Sequence, residues 1–227
     1  MGYHVPRDGV IPIPKKVEAI QALIVPNTRK QLCQFIGMIN FYRGMWKNIS
    51  EIFSPLTDLT SKNFKYGWKD KHQKCFDAIK CVIGREVFLA YPDFNAPFLI
   101  HTDASKLQIG SVISQMVNPI AFYSLNMNIT HQDYTTTEKE LISVVASLKE
   151  FRNILLGQQI TVYTDNKNLT YKILNTERIM RWRLILEEFG SNLKYIKGEN
   201  NAVFNALSRL EINDNQGASP SLSIHYR

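Results

Sequence analysis

The sequence has few cysteines and no long apolar segment. Its three cysteines, Cys33, Cys75 and Cys81, are an odd number without Cys-x-x-Cys spacing, which argues against a disulfide framework and against a zinc site. No apolar run approaches the roughly 20 residues that span a bilayer, and residues 1–16 lack the apolar core of a signal peptide. We therefore expect an intracellular protein, cytoplasmic or nuclear, without a membrane partner.

Glycine and proline are also scarce, with 11 and 9 residues among 227, which excludes a collagen-like or low-complexity chain. Hydrophobic residues make up 44% of the sequence and charged residues 21%. Both values are typical of a folded globular protein rather than a disordered one. At roughly 100–200 residues per domain, the length predicts one large or two small domains.

Positive charge is concentrated in the first part of the chain. Residues 1–90 contain 14 Lys and Arg against 7 Asp and Glu, whereas residues 91–227 contain 13 of each sign. A basic block is typical of proteins that bind a polyanion such as nucleic acid. A solvated, lysine-rich helical surface is the alternative explanation for any single charge in this block.

The apolar pattern of this basic part predicts mostly helices. An extended entry over 2–13 precedes a short helix that starts at Pro14. Thr28 is a candidate N-cap for a helix that reaches about residue 46, and another helix is predicted over 70–83. Aromatic residues lie among the basic ones, and they either contact nucleic acid or form the core. They are Phe35, Phe41, Tyr42 and Trp46.

From Pro97 the pattern changes to strands and then to alternating helices and strands. Three β-rich segments at close spacing, separated by turn residues, are typical of an antiparallel meander. The elements predicted after them are a helix over 136–155, a strand at 159–165, helices over 169–174 and 178–189, a strand at 193–198 and a helix over 202–210. This order predicts an α/β fold in which a mixed sheet has helices on its faces.

Three carboxylates lie where they can converge at one edge of this sheet. Asp103 closes the first strand, Asp165 closes the fourth, and Glu140 lies early in the long helix. Such a cluster repels itself unless cations compensate, so it indicates hard, oxygen-binding metal ions. Two such ions are a known device for phosphodiester hydrolysis. The alternatives are ordinary: an aspartate at a strand end is a common turn former, and Glu138 and Glu140 each fit a helix-capping box.

Ordered blocks along nearly the whole chain resemble the reverse transcriptase of gypsy-type LTR retrotransposons. The stretch over 2–46 resembles the end of the palm and the thumb. The blocks that resemble the family's RNase H domain are LAYPDFNAPFLIHTDAS, IGSVISQ, PIAFYS, YTTTEKEL, LKEFRN, VYTDNKNLTY, RWRLILEEF and YIKGENNAV followed by ALSRL. So many blocks in family order are more specific than any single motif, and on them the chain is identified as a member of this Pol family.

The resemblance implies an RNase H-like fold, a five-stranded mixed sheet flanked by helices, preceded by a small, mostly helical thumb subdomain. It implies two regions, the end of the palm and the thumb or connection over 1–90 and the RNase H-like domain over 91–211. The polar tail over 212–227, which contains Ser, Pro and Gly, is predicted from its composition to be disordered. The resemblance also implies hydrolysis of the RNA strand of an RNA–DNA hybrid with two Mg²⁺ ions, for which Mn²⁺ can substitute.

The same resemblance implies which residues act. Asp103 matches the aspartate expected to bridge both metal ions, Glu140 matches the helix glutamate, and Asp165 matches the third ligand. Glu138 is the neighbouring candidate for the helix position. The basic residues expected to contact the hybrid are Lys15, Lys16, Arg29, Lys30, Arg43 and Lys47.

The fourth metal ligand departs from the family pattern, in which an aspartate stands in a stretch close to NVVADALSR. This chain has NAVFNALSR, with Asn205 at that position. An amide oxygen can still bind a metal ion, but one negative charge is lost. We therefore expect weaker metal binding and a large fall in rate. Asn166 departs in a similar way, because relatives commonly have histidine there.

Two alternatives to a hybrid-cleaving nuclease stay open. The first is a non-catalytic remnant that binds nucleic acid through its basic residues, and Asn205 favours it. The second is a functionless relic, in which the palm-derived entry over 2–13 exposes an unpaired strand edge. The family's polymerase aspartates and integrase have no counterpart in the sequence. We therefore expect no DNA synthesis by this chain alone, and palm, fingers and integrase as partners in full-length relatives.

Overall fold

A computed structural model of the chain describes residues 2–46, 49–61, 65–85, 87–105, 107–170 and 176–197. Five predictions fall wholly or mostly outside these residues: the contact residue Lys47, the helix over 169–174, the helix over 202–210, Asn205 and the disordered tail over 212–227. Within the described ranges, no helix is both long enough and apolar enough to cross a membrane.

A small antiparallel sheet joins the beginning of the chain to residues near position 90. Its strands are β1 (Tyr3–His4), β2 (Gly9–Pro12) and β3 (Leu89–Ala90), in the order β1-β2-β3. Val10 of β2 pairs with Leu89 of β3, and β1 pairs with the other side of β2. The prediction that the entry segment exposes an unpaired edge is therefore wrong for β2, because a strand from far along the chain covers it.

Helices fill most of the rest of the first part, as predicted. They are α1 (Pro14–Gln21), α2 (Arg29–Phe41), α3 (Ile49–Asp58) and α4 (Asp70–Ile83). Thr28 caps α2 in a complete capping box with Gln31, and α4 has the predicted bounds. The prediction that α2 continues to residue 46 is wrong, since a 3-10 turn over Arg43–Met45 follows it. This turn places Met45 and Trp46 in the core, where both are buried.

The aromatic residues of this first part are mainly core. Phe35, Tyr42 and Trp46 are at most 2% exposed and belong to one apolar cluster built from the helices. Phe41 differs: it is 42% exposed and stacks on the ring of Tyr3 at 5.1 Å. Of the two explanations for these aromatics, burial therefore accounts for all but Phe41.

The second part contains the predicted five-stranded mixed sheet. Its strands are β4 (Phe98–Ala104), β5 (Gln108–Gln115), β6 (Asn118–Asn126), β7 (Ile160–Thr164) and β8 (Asn192–Tyr195). The order is β6-β5-β4-β7-β8; β4, β5 and β6 form the antiparallel meander, and β4–β7 and β7–β8 are parallel pairs. The α/β fold class is confirmed.

Helices pack on this sheet around a second apolar cluster. After the short helix α5 (Ile129–Gln132), the helices of this cluster are α6 (Thr136–Glu150), α7 (Arg152–Leu155) and α8 (Glu177–Glu188), with a 3-10 turn over Lys167–Thr170. The long helix predicted over 136–155 is broken at Phe151, whose backbone leaves the helical region. Val144 of α6 packs with Ile100 of β4 and Val162 of β7. Full burial of each such side chain stabilises the fold by about 1.5–3 kcal/mol, which holds α6 on the sheet, where it lies mainly over β4 and β5.

Polar contacts join the helical part to the sheet of the second part. The Ser50 backbone N–H donates to Oγ of Ser124 at 3.3 Å, and Oγ of Ser50 donates to the Ser124 carbonyl at 3.0 Å, both in buried surroundings. Asn126 donates to the Ser50 carbonyl at 3.2 Å. An exposed ion pair between Arg43 and Glu150 lies on the same side of the molecule as β6. The domain boundaries at 90 and 211 stay a prediction.

Candidate active site

Two of the predicted carboxylates lie at the carboxyl ends of neighbouring parallel strands: Asp103 is the next-to-last residue of β4, and Asp165 directly follows β7. The register of β4 and β7 pairs His101 with Tyr163. Asp103 and Asp165 each lie two residues beyond this last pair along the chain, and the charge of Asp103 raises the pKa of Asp165. On its other side Asp103 pairs with Gly110 of β5, which has no side chain to fill the space next to the carboxylate. The carboxyl ends of β4 and β7 therefore place two acids next to each other at one edge of the sheet.

The third carboxylate approaches the same edge from α6. Glu140 is only 3% exposed, and its carboxylate accepts a hydrogen bond from the backbone N–H of Ala104, the residue after Asp103. Its Oε2 atom is buried and has no hydrogen-bond partner among the described residues. A buried carboxylate oxygen without a partner is costly, so this atom is suited to a proton or a cation.

Proton binding at this edge is strengthened by burial and by the neighbouring acids. Burial raises the pKa of Glu140 to about 8, with further contributions from the charges of Asp165 and Asp103. The pKa of Asp165 is also raised, first by burial and then by Asp103. The three carboxylates thus share one electrostatic environment.

The structure gives Glu138 and Glu140 different surroundings. Glu138 forms the capping box of α6: its carboxylate accepts hydrogen bonds from the backbone N–H and the hydroxyl of Thr135, both at 3.0 Å. It also accepts one from Arg178 at 3.1 Å. Burial alone would raise the pKa of Glu138, but these hydrogen bonds outweigh it and hold the pKa below its ordinary value. Glu140, not Glu138, lies near the strand-end aspartates.

The donor set at this edge is suited to a divalent cation. Carboxylate oxygens are the ligands that Mg²⁺ and Mn²⁺ prefer, and the cluster carries raised pKa values and an unpartnered buried oxygen. Within the described part of the chain, however, no three His, Cys, Asp or Glu side chains are close enough to form a metal-binding group. Asn205, the fourth predicted ligand, lies outside that part. Metal binding by these residues stays a prediction.

The predicted nucleic-acid contacts have two kinds of surroundings. Lys15 and Lys16 in α1 and Lys30 in α2 are exposed. Arg29 instead donates from Nε to the Leu59 carbonyl at 3.2 Å, and Arg43 is paired with a glutamate of α6. The exposed lysines lie in the first turns of their helices.

The comparisons with known proteins agree with this fold. A family model described as the RNase H-like domain found in reverse transcriptase matches residues 93–189. The Pol polyprotein of transposon 297 from Drosophila melanogaster is 36% identical over 95% of this chain, and that of transposon gypsy is 32% identical over 99%. The chain is a homologue of retrotransposon Pol polyproteins. The chain spans only part of these relatives: 21% of the length of the transposon 297 polyprotein and 24% of that of gypsy.

Solved structures with a similar fold come from a foamy virus. The foamy viral protease-reverse transcriptase in complex with an RNA/DNA hybrid superposes with a TM-score of 0.76 at 23% identity, covering 97% of this Pol homologue and 31% of the viral chain. A related structure in complex with double-stranded DNA gives 0.76 at 24% identity, with coverages of 87% and 37%. Residues 93–189 therefore form an RNase H-like domain of the reverse transcriptase type.

No sequence pattern predicts a role for Arg178, which contacts the first turn of α6. It lies 40 residues from Glu138, and no spacing rule links positions so far apart. The motif RWRLILEEF, whose first Arg is three residues further on, marks the helix but not this contact.

Proposed function

We propose that this chain is a metal-dependent ribonuclease that hydrolyses the RNA strand of an RNA–DNA hybrid. Its metal ligands are Asp103, Glu140 and Asp165, with Asn205 as a weak fourth ligand for two Mg²⁺ ions. The observation that carries the proposal is the buried Oε2 of Glu140, which has no hydrogen-bond partner among the described residues and lies near two strand-end aspartates in an RNase H-like domain.

The protein's own residues prepare this edge of the sheet for charged partners. Divalent ions, when bound, supply an activated water and stabilise the leaving oxygen of a phosphodiester. Asp103 and Asp165 contribute negative charge at the mouth of the site, where Asp103 is exposed. Glu140, held by α6 near this edge, would give up its proton to a divalent cation bound there. Parallel pairing of β4 and β7 holds the two strand ends that carry the aspartates side by side.

A polyanionic substrate is favoured by the basic first turns of α1 and α2. Neither helix has an acidic residue in its first turn, and Lys15, Lys16 and Lys30 are placed there instead. Each cation near a helix N-terminus opposes the helix dipole and costs about 0.3–1 kcal/mol. Because these exposed charges do not help the helices, their contribution lies in attracting phosphates. The complex of the foamy viral enzyme with an RNA/DNA hybrid supports the same class of substrate.

The test is cleavage of an end-labelled RNA–DNA hybrid in Mg²⁺ and in Mn²⁺. We expect the unaltered chain to cut the RNA strand of the hybrid but not single-stranded RNA, and Asp103→Asn to abolish cutting while the melting temperature is kept. Glu187→Asn, an exposed acid on α8, is the matched control and is expected to cut like the unaltered chain. Cutting that survives Asp103→Asn would show that the nuclease site lies elsewhere.

A non-catalytic hybrid-binding protein is the second candidate, and Asn205 is the residue that favours it. It predicts salt-dependent binding of the hybrid with no cleavage in either metal. Cleavage by the unaltered chain would exclude this candidate. Binding that does not respond to salt would contradict both candidates.

A further inference from the structure

Arg178, in the first turn of α8, contacts the beginning of α6 in two ways. Its Nη1 donates to Oε1 of Glu138 at 3.1 Å, and its guanidinium lies over the ring of Tyr134, with the Cζ atom 4.4 Å from the ring centre. The Tyr134 ring packs in turn against Trp182, one turn further along α8, at 5.8 Å. The segment that leads into α6 is therefore held against α8 by a planar cation and two aromatic rings.

Glu138 connects this contact to the helix cap. One carboxylate oxygen binds Arg178, while the other accepts from the Thr135 backbone N–H and from the Thr135 hydroxyl. The Glu138 backbone N–H donates back to the Thr135 hydroxyl oxygen at 3.2 Å. A capping box of this kind fixes the backbone of the first helical turn, and here it is anchored to a second helix.

Stability alone does not account for the ion pair. The Arg178 side chain is 44% exposed and that of Glu138 13%, and an ion pair with one partner so open to solvent contributes only about 0–1 kcal/mol. What the pair does contribute is geometry, because it ties the first turn of α6 to α8. Glu140 lies two residues after Glu138 in that same region and is buried beside Asp103 and Asp165.

We propose that Arg178 is a positioning residue which, through Glu138, fixes the first turn of α6 and so holds Glu140 in place for divalent cations. This inference rests on the proposed function. Removal of the pair releases the turn, and Glu140 then has to be ordered each time a cation binds. The expected effect is weaker metal affinity rather than loss of the fold.

The variants separate the ion pair from the cap. Arg178→Gln removes the cation, whereas Glu138→Gln removes the charge but keeps a residue that suits the capping box. Arg178→Lys keeps a positive charge that can still reach Glu138, and it is the conservative variant. The matched control is Arg152→Gln. Like Arg178, Arg152 pairs with a glutamate, here Glu188 of α8 at 2.6 Å, and its guanidinium lies over an aromatic ring. That control does not touch α6's first turn.

The main measurement is Mn²⁺ affinity of the full chain without nucleic acid, followed by the electron paramagnetic resonance signal of free Mn²⁺. Arg178→Gln and Glu138→Gln are each expected to weaken the affinity by about tenfold, as is usual when a residue that orients a metal ligand is removed. The double variant is expected to lose no more than either single one, since both break one contact. Arg178→Lys is expected to recover part of the loss. The Mg²⁺ concentration for half-maximal cleavage of the hybrid is expected to rise in parallel.

The outcomes distinguish this inference from the proposed function. Equal Mn²⁺ affinity in the unaltered chain, Arg178→Gln and Glu138→Gln would overturn the positioning role and leave the nuclease intact. A loss as large in Arg152→Gln would also overturn it, because the effect would then follow general destabilisation. If the unaltered chain neither binds Mn²⁺ nor cleaves, the proposed function fails, and the positioning role fails with it.

Discussion

Asn166 donates a hydrogen bond from Nδ2 to Oγ1 of Thr137 at a distance of 3.3 Å. The bond joins the residue that follows Asp165 to the first turn of α6, three residues before Glu140. The Asn166 backbone N–H donates to the Thr164 hydroxyl at 3.1 Å, so the turn after β7 is held from both sides. The two elements that carry Asp165 and Glu140 are thus linked by a direct side-chain contact next to both acids.

The first prediction concerns this contact. Thr137→Val keeps the shape of the side chain but removes the acceptor, so we expect the free energy of unfolding to fall by about 0.5–1.5 kcal/mol. We also expect hybrid cleavage to fall several-fold, because the turn after Asp165 loses its link to α6. Urea denaturation and single-turnover cleavage measure the two effects. Thr136→Val, at the exposed neighbouring position, is the control, and equal losses in both variants would contradict the prediction.

The second prediction is a pH dependence of stability in the metal-free chain. The pKa of Glu140 is raised from 4.5 to about 8 in the folded state, so between these values the folded chain keeps a proton that the unfolded chain has lost. Stability from this group is therefore complete below about pH 4.5 and is lost as the pH rises through about 8. Asp165, whose pKa is also raised, acts in the same direction.

Thermal unfolding in EDTA checks this pH dependence. We expect a higher melting temperature near pH 5 than near pH 8 for the unaltered chain, and a clearly smaller difference for Glu140→Gln, which cannot titrate. Glu187→Gln, an exposed glutamate, is the control and should behave like the unaltered chain. A pH difference that Glu140→Gln leaves unchanged would place its cause at another group.

The third prediction compares two contacts between the helical part and the sheet. Ser124→Ala leaves the buried Ser50 backbone N–H without its acceptor, which typically costs about 1–3 kcal/mol. Arg43→Gln breaks the ion pair with Glu150, whose two side chains are 43% and 42% exposed, and is expected to cost about 0–1 kcal/mol. Chemical denaturation of both variants gives the comparison. A larger loss for Arg43→Gln would show that the buried serine contact does not stabilise the joint.

The fourth prediction is a gain of activity. Asn205→Asp adds a negative charge to a site proposed to hold two divalent cations, and such an interaction is worth several kcal/mol at an effective dielectric of about 20 before desolvation is counted. After that correction we expect cleavage in Mg²⁺ to rise by at least about tenfold, which equals about 1.4 kcal/mol of barrier. Asn213→Asp adds the same charge elsewhere and serves as the control. No gain in a folded Asn205→Asp variant would show that position 205 is not a ligand.

The fifth prediction concerns hybrid binding. Lys15→Gln with Lys16→Gln removes two exposed charges from α1, so we expect weaker hybrid binding and a salt dependence reduced by about two phosphate contacts. Lys71→Gln with Lys74→Gln on α4 removes the same charge and is the matched control. Hybrid affinity measured over a range of salt concentrations gives both slopes. Equal slopes in the two double variants would show that the effect is general charge rather than a site on α1.

Local signals in the sequence predicted much of the fold. Thr28 and Thr135 each cap a helix through a partner three residues away, so the stretch that contains the cap also contains its cause. The bounds of α4 and the meander of β4, β5 and β6 follow in the same way from apolar periodicity and turn residues within short windows. Breaks such as the one at Phe151 escaped prediction, because packing of the flanking side chains decides where a helix bends.

The sequence by itself determined the α/β class and the helix caps, because each depends on residues within a few positions of one another. Only the tertiary structure decided that β3 pairs with the entry strand β2 and that Glu140 rather than Glu138 lies near Asp103. It also decided that Arg178 of α8 contacts Glu138 at the beginning of α6. These contacts join residues tens of positions apart. Such contacts form only when apolar burial brings the elements together, and no local pattern specifies which polar groups then meet.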